Sequence, residues 1–108
     1  MAAYIVAQMA VHDPDGYRNY AMAFMKTIGE FGGKLLVAAD DAVELEGQRP
    51  YPRTVIGEFA DAATARAWYE SDAYQKIQPL RASSTDGAVY IIEGIGIPSS
   101  PQRRATSD

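Results

Sequence analysis

The chain has no cysteine and only one histidine among its 108 residues. The first absence excludes disulfides, iron–sulfur clusters, thiolate metal sites and a cysteine nucleophile together. The second argues against a haem or zinc site, which needs defined imidazole or thiolate ligands. No metal and no cofactor are expected. Basic charge is also scarce: 10 Lys and Arg face 14 Asp and Glu, giving a net charge of −4. No cluster of Lys and Arg supplies what phosphate neutralisation needs, so nucleic acid is not an expected partner. Long hydrophobic runs are missing as well. The opening stretch MAAYIVAQMAVHD carries no basic leader, and its apolar run is interrupted by Gln8. It falls short of the about 20 residues that span a bilayer, which predicts a cytoplasmic protein with no membrane partner.

What is present is a 47% hydrophobic chain of a length that suits one domain with one core. Residues 1–96 read as that domain and residues 97–108 as a polar tail, PSSPQRRATSD after Ile97, without apolar period. Ala3–Val11 is a β-branched and aromatic run that stops at His12-Asp13-Pro14, which predicts a first strand. Its apolar residues fall on both sides, so both faces of the strand are expected to be covered. Asp13 can accept from orphan amides while Pro14 gives up an amide without a partner, and together they predict a helix start. Tyr17, Tyr20, Ala21, Phe24, Ile28 and Phe31 then recur at helical spacing until Gly32-Gly33.

Lys34–Ala39 predicts a second strand, Asp40–Pro52 a long hairpin loop, and Arg53–Phe59 a third strand. Asp61 caps a second helix with Ala65, Trp68 and Tyr69 on its buried stripe. Ser71 caps a further short turn containing Tyr74 and Ile77, which Pro79 is expected to close. Arg81–Gly87 reads as a loop and Ala88–Glu93 as the last strand. The order strand, helix, strand, strand, helix, strand predicts an α+β, ferredoxin-like βαββαβ fold. Its four-stranded antiparallel sheet should have the order 4-1-3-2, with two helices on one face. Val6, Ile56, Leu36 and Ile91 are then expected on the opposite face. At about 25 cal/mol per Å², leaving such side chains wet forgoes a few kcal/mol, so the expectation is a homodimer with two sheets face to face.

The opening AYIVA, Asp13-Pro14, Tyr17-x-x-Tyr20, Gly32-Gly33 and Leu45-Glu46-Gly47 occur in order, followed by Arg53 with VIGEF. After them come Ala65–Tyr69, Ser71-x-x-Tyr74, Arg81 and Glu93-Gly94. With these residues the chain resembles the domain-of-unknown-function family 1330, within the dimeric α/β-barrel superfamily. The resemblance covers roughly residues 3 to 95. It implies a dimeric barrel, and it sets the chain beside cofactor-free monooxygenases, isomerases and haem-dependent enzymes, a range too wide to carry chemistry over.

Strand alternation places Gln8, His12, Glu58 and Glu93 on the inner face. With the first and third strands taken as running together, His12, Glu58 and Lys34 are expected at one mouth, a usable acid–base set in which His12 and Glu58 are the catalytic candidates. A solvated Lys34–Glu58 pair beside an exposed His12 is the plain alternative. At the other end Arg53, Glu46 and Glu93 are expected to converge, either as an ion-pair cluster or as an anion site. Tyr17, Tyr20, Trp68, Tyr69 and Tyr74 are core aromatics whose polar tips can also orient a ligand, and Arg81 can close a pocket or cap a helix. Tyr17, Tyr20, Lys34, Arg53, Trp68 and Arg81 are thus the ligand-binding candidates. Two functions stay open. One is a homodimeric barrel binding a small aromatic or carboxylated metabolite, with cofactor-independent catalysis. The other is a non-enzymatic structural or ligand-sequestering dimer module.

Overall fold

The computed structural model describes residues 1–96, so the tail expected over residues 97–108 lies outside the described residues. Its elements are β1 (Ala3–Val11), α1 (Pro14–Glu30), β2 (Lys34–Ala39), β3 (Arg53–Phe59), α2 (Ala62–Glu70), α3 (Asp72–Ser84) and β4 (Thr85–Glu93). The four strands form one antiparallel sheet in the order β2-β3-β1-β4, which is the expected ferredoxin-like topology read from the other edge. No helix among the described residues is long and apolar enough to cross a membrane.

The first two helices start where the sequence says they should. Asp13 caps α1 by accepting from Gly16 N–H at 3.2 Å, with Pro14 in the first turn. Asp61 caps α2 through Thr64 N–H at 2.7 Å. Just after the end of α1 comes Gly32, whose φ of +71° is left-handed backbone that a side chain resists, and Gly33 N–H returns to the Ile28 carbonyl. That reversal delivers the chain into β2.

The sheet's helix-covered face carries Ala3, Ile5, Ala7 and Met9 of β1 with Val55 and Phe59 of β3, all buried. Against them pack Tyr20, Phe24 and Ile28 of α1, Ala65 and Trp68 of α2, and Tyr74 of α3. Trp68 is the centre of this core, its ring 5.7 Å from Phe24, 5.5 Å from Phe59 and 4.3 Å from Tyr74. Its indole N–H donates to Thr27 Oγ1 at 3.1 Å, and Thr27 in turn donates to the Phe24 carbonyl, so the buried polar atoms are satisfied.

The opposite face is open. Val6 stands between Ile56 and Tyr90, and Tyr4 between Glu58 and Ile92. In β2 the register shifts between Leu35 and Val37, so that Val37 stands opposite Ile56 and Leu36 is extra. Leu36, Val37, Tyr90 and Ile92 are all exposed, at 38 to 51%. Among the described residues β1 is therefore covered on one side only.

Three expectations are corrected. The short turn after Ser71 is a helix of 13 residues, and Pro79 lies inside it. An exposed Pro there loses one hydrogen bond, but Tyr74, Ile77 and Ser84 still recur on the face that packs inward, and tertiary packing overrides the local break. As a result Arg81 is helical, and the supposed loop up to Gly87 is shared between α3 and the start of β4. Ile91 is paired with Ile5 and packs on the helix side, so Tyr90 and Ile92 occupy the open face instead.

Candidate functional site

The expected acid–base set is not assembled. β3 runs antiparallel to β1, pairing Tyr4 with Glu58 and Met9 with Arg53, so His12 and Glu58 stand at opposite ends of the sheet. Lys34 does lie directly across from Glu58, as expected. His12 instead approaches Asp86 at 3.9 Å with both side chains largely in solvent. The other expected cluster also separates. Glu93 pairs with Ala3 beside Phe59, at the far end of the sheet from Arg53, and Glu46 sits on the exposed hairpin loop.

Arg53 finds other partners. Its Nε donates to Tyr17 Oη at 3.1 Å and its Nη1 to Asp40 Oδ1 at 3.1 Å, while the guanidinium lies 5.3 Å from the centre of the Tyr17 ring. Burial works against the charge, but the bonds to Tyr17 and Asp40 outweigh it and raise the guanidinium's pKa, so Arg53 is a fixed cation. It opens on a cleft of about 520 Å³ between the start of α1 and the base of the β2–β3 hairpin. Val11, Pro14, Ala21 and Pro52 form the apolar walls, and Tyr17, Arg18, Asp40 and Arg53 are the polar groups. Among the described residues, Arg53 Nη2 and the Tyr17 hydroxyl hydrogen have no protein acceptor, so two donors stand side by side uncommitted. Asp40 was missed from sequence, although it follows Ala39, whose partner Thr54 adjoins Arg53.

Tyr20, Trp68 and Arg81 lie elsewhere, around the core. Tyr74 joins them: its hydroxyl meets Tyr20 Oη at 3.0 Å and accepts from Arg81 Nε at 3.2 Å. Whichever phenol donates to the other, the accepting one keeps a hydrogen without an acceptor among the described residues. The space beside it, bounded by Ile5, Ala7, Met9, Phe24, Val55 and Val89, amounts to about 20 Å³. That is room for about one water, which needs at least ~10–15 Å³. This group ties α1 to α3. It does not enclose a volume for a metabolite, whereas ligand pockets span about 300–1,000 Å³.

Burial first, and then the neighbouring Tyr74 phenol, push the Tyr20 hydroxyl far above the ordinary tyrosine range. A phenol whose folded pKa exceeds its unfolded value stabilises the fold below the unfolded pKa, near 10, and loses that contribution as pH climbs further. Unfolding titrations should therefore show stability falling above about pH 10. Tyr20→Phe should flatten that slope; an unchanged slope in the variant would assign the alkaline loss to other groups.

The arrangement defines a ferredoxin-like α+β domain with an open apolar sheet face and an arginine-centred cleft. The profile of the family described as Domain of unknown function (DUF1330) matches residues 2–95, and the chain belongs to that family. No curated protein matches it. Among solved structures it is similar to a protein of unknown function from Rhodopseudomonas palustris, with 14% identity and a TM-score of 0.71 over 89% of this chain and 84% of that one. A dimeric ferredoxin-like protein of unknown function from Jannaschia sp. gives 16% identity and a TM-score of 0.66 over 86% and 97%. SnoaB, a cofactor-independent oxygenase from Streptomyces nogalater, gives 11% and 0.57 over 92% and 98%. At these identities the likeness is one of fold. Among the described residues no group of three or more His, Asp or Glu could hold a metal ion.

Proposed function

We propose that this protein is a homodimeric small-molecule-binding module, whose sheets pack face to face and whose Tyr17–Arg53 cleft takes a small carboxylate on an apolar, aromatic-sized body. The supporting observation is the pair of uncommitted donors, Arg53 Nη2 and the Tyr17 hydroxyl, in a cleft of about 520 Å³ walled by apolar side chains. A carboxylate accepts both, and the exposed Asp40 can give way to it. Its apolar body then covers Val11, Pro14 and Ala21. Binding is favoured over catalysis by one further observation: His12 and Glu58, the expected acid–base candidates, stand at opposite ends of the sheet and neither lines the cleft. The fold shared with an oxygenase adds no catalytic group here. The dimer is supported by the apolar open face and by the description of the Jannaschia protein as dimeric.

Benzoate is a suitable probe, followed by calorimetry or by chemical shifts. Arg53→Gln should weaken its binding roughly 10-fold or more, because a hydrogen bond to a charged group is worth about 1.5–3 kcal/mol, and Tyr17→Phe should weaken it about threefold to tenfold. Benzoate affinity that is indifferent to Arg53→Gln would overturn the cleft as the site.

A further inference from the structure

The β2–β3 hairpin loop, residues 40–52, is built as an arm. Arg49 holds its neck: Nη2 donates to the Asp40 carbonyl at 3.0 Å, Nη1 reaches the Ala42 carbonyl, and Nε donates to the Pro52 carbonyl. The Arg49 backbone N–H and Nη1 both meet Glu44 Oε2 at 3.0 Å. Beside these clamped residues the arm presents Val43 at 83% and Leu45 at 90% exposure. Single exposed apolar residues are ordinary. Two of them displayed on a loop whose neck is pinned by one arginine are a different matter, because much of the ordering entropy of docking is already spent.

Charge narrows the occupant. Asp40, Asp41, Glu44 and Glu46 surround the two apolar residues with Arg49 as the only cation of the segment, which repels anionic lipid and nucleic acid alike. The arm leaves directly from β2 and β3, and on β2 the exposed Leu36 and Val37 stand where the register shifts, with Val37 opposite Ile56 of the open sheet face.

We infer that the arm is a clasp for a second copy of this chain, seating Val43 and Leu45 against the partner's open sheet face. The inference rests on the face-to-face dimer proposed above. Because Asp40 and Pro52 wall the Arg53 cleft, a seated arm also holds one side of that cleft in place.

The cysteine-free chain allows a direct test. Leu45→Cys carrying a benzophenone label should, on irradiation, cross-link two copies through peptides of the open face. In sedimentation equilibrium, Val43→Ser with Leu45→Ser should raise the dimer dissociation constant roughly 10-fold or more, as loss of apolar anchors does at an interface, while circular dichroism stays unchanged. Ile56→Asp, in the middle of the sheet face, serves as the comparison. Cross-links confined to one chain, or a tip variant that dimerises like the parent while Ile56→Asp dissociates, overturn the clasp and leave the sheet-face dimer standing. A parent chain that sediments as a monomer at micromolar concentration overturns both.

Discussion

Trp68→Ala should lower the unfolding free energy by about 3–5 kcal/mol, against total stabilities of about 5–15 kcal/mol for domains of this kind, and part of the population should be unfolded at 37 °C. The indole is 1% exposed and packs against rings from β3, α1 and α3 at once. Its removal leaves a void between layers that cannot close, because Phe59 is anchored in the sheet and Tyr74 is held by Tyr20 and Arg81. It also strips Thr27 Oγ1 of its donor. Trp68→Phe keeps most of the ring contact and loses the N–H, so it should cost about 1–2 kcal/mol. Chemical denaturation followed by circular dichroism measures both. A loss below about 1 kcal/mol in the alanine variant would mean that the layers repack without the indole.

Gly87→Ala should be the second severe change, and its cause is backbone rather than packing. Gly87 sits early in β4 at φ +154°, opposite Met9 in the β1 ladder. A Cβ built there falls onto the Gln8 carbonyl oxygen and lies 2.7 Å from Met9 Cα. Neither atom belongs to a side chain that could swing aside. The expected result is local parting of β1 from β4 and a loss of about 2–3 kcal/mol, with faster hydrogen exchange at the β1 amides facing β4. Gly29→Ala is the natural contrast, since nothing lies within 4 Å of its added Cβ, and it should leave stability unchanged or raise it by up to about 1 kcal/mol. Equal behaviour of the two variants would contradict the close approach of β1 and β4.

Much of this fold is written in short-range pattern. The extent of β1, the Asp13-Pro14 and Asp61 caps, and the reversal at Gly32 each depend on a few residues, and each occurs where the local rule puts it. The site is another matter. In a split β-α-β unit β3 is inserted antiparallel between β1 and β2, and reading β1 and β3 as running together carried His12 to the wrong end of Glu58. The offset that moved Ile91 to the wrong face comes from the period of two, under which an error of one residue in a strand's phase exchanges its sides. Arg81 illustrates the opposite limit. Its bond to Tyr74, seven residues earlier, is a helical relationship that Pro79 conceals from any local reading. Arg53 was visible as a candidate, but its partners Tyr17 and Asp40 lie 36 and 13 residues away, brought together only when α1 packs on the assembled sheet.

The extra residue at Leu36 bears on solubility. β2 is an edge of the sheet, and an edge with a regular row of free amides and carbonyls invites another strand to add on, then another after that. The bulge disturbs the ladder in the middle of a strand of only six residues and leaves too short an even stretch on either side to template such growth. Apolar side chains are thus free to recruit a neighbour through the broad face, where two copies satisfy each other and stop, while open-ended stacking along the β2 margin is denied a footing.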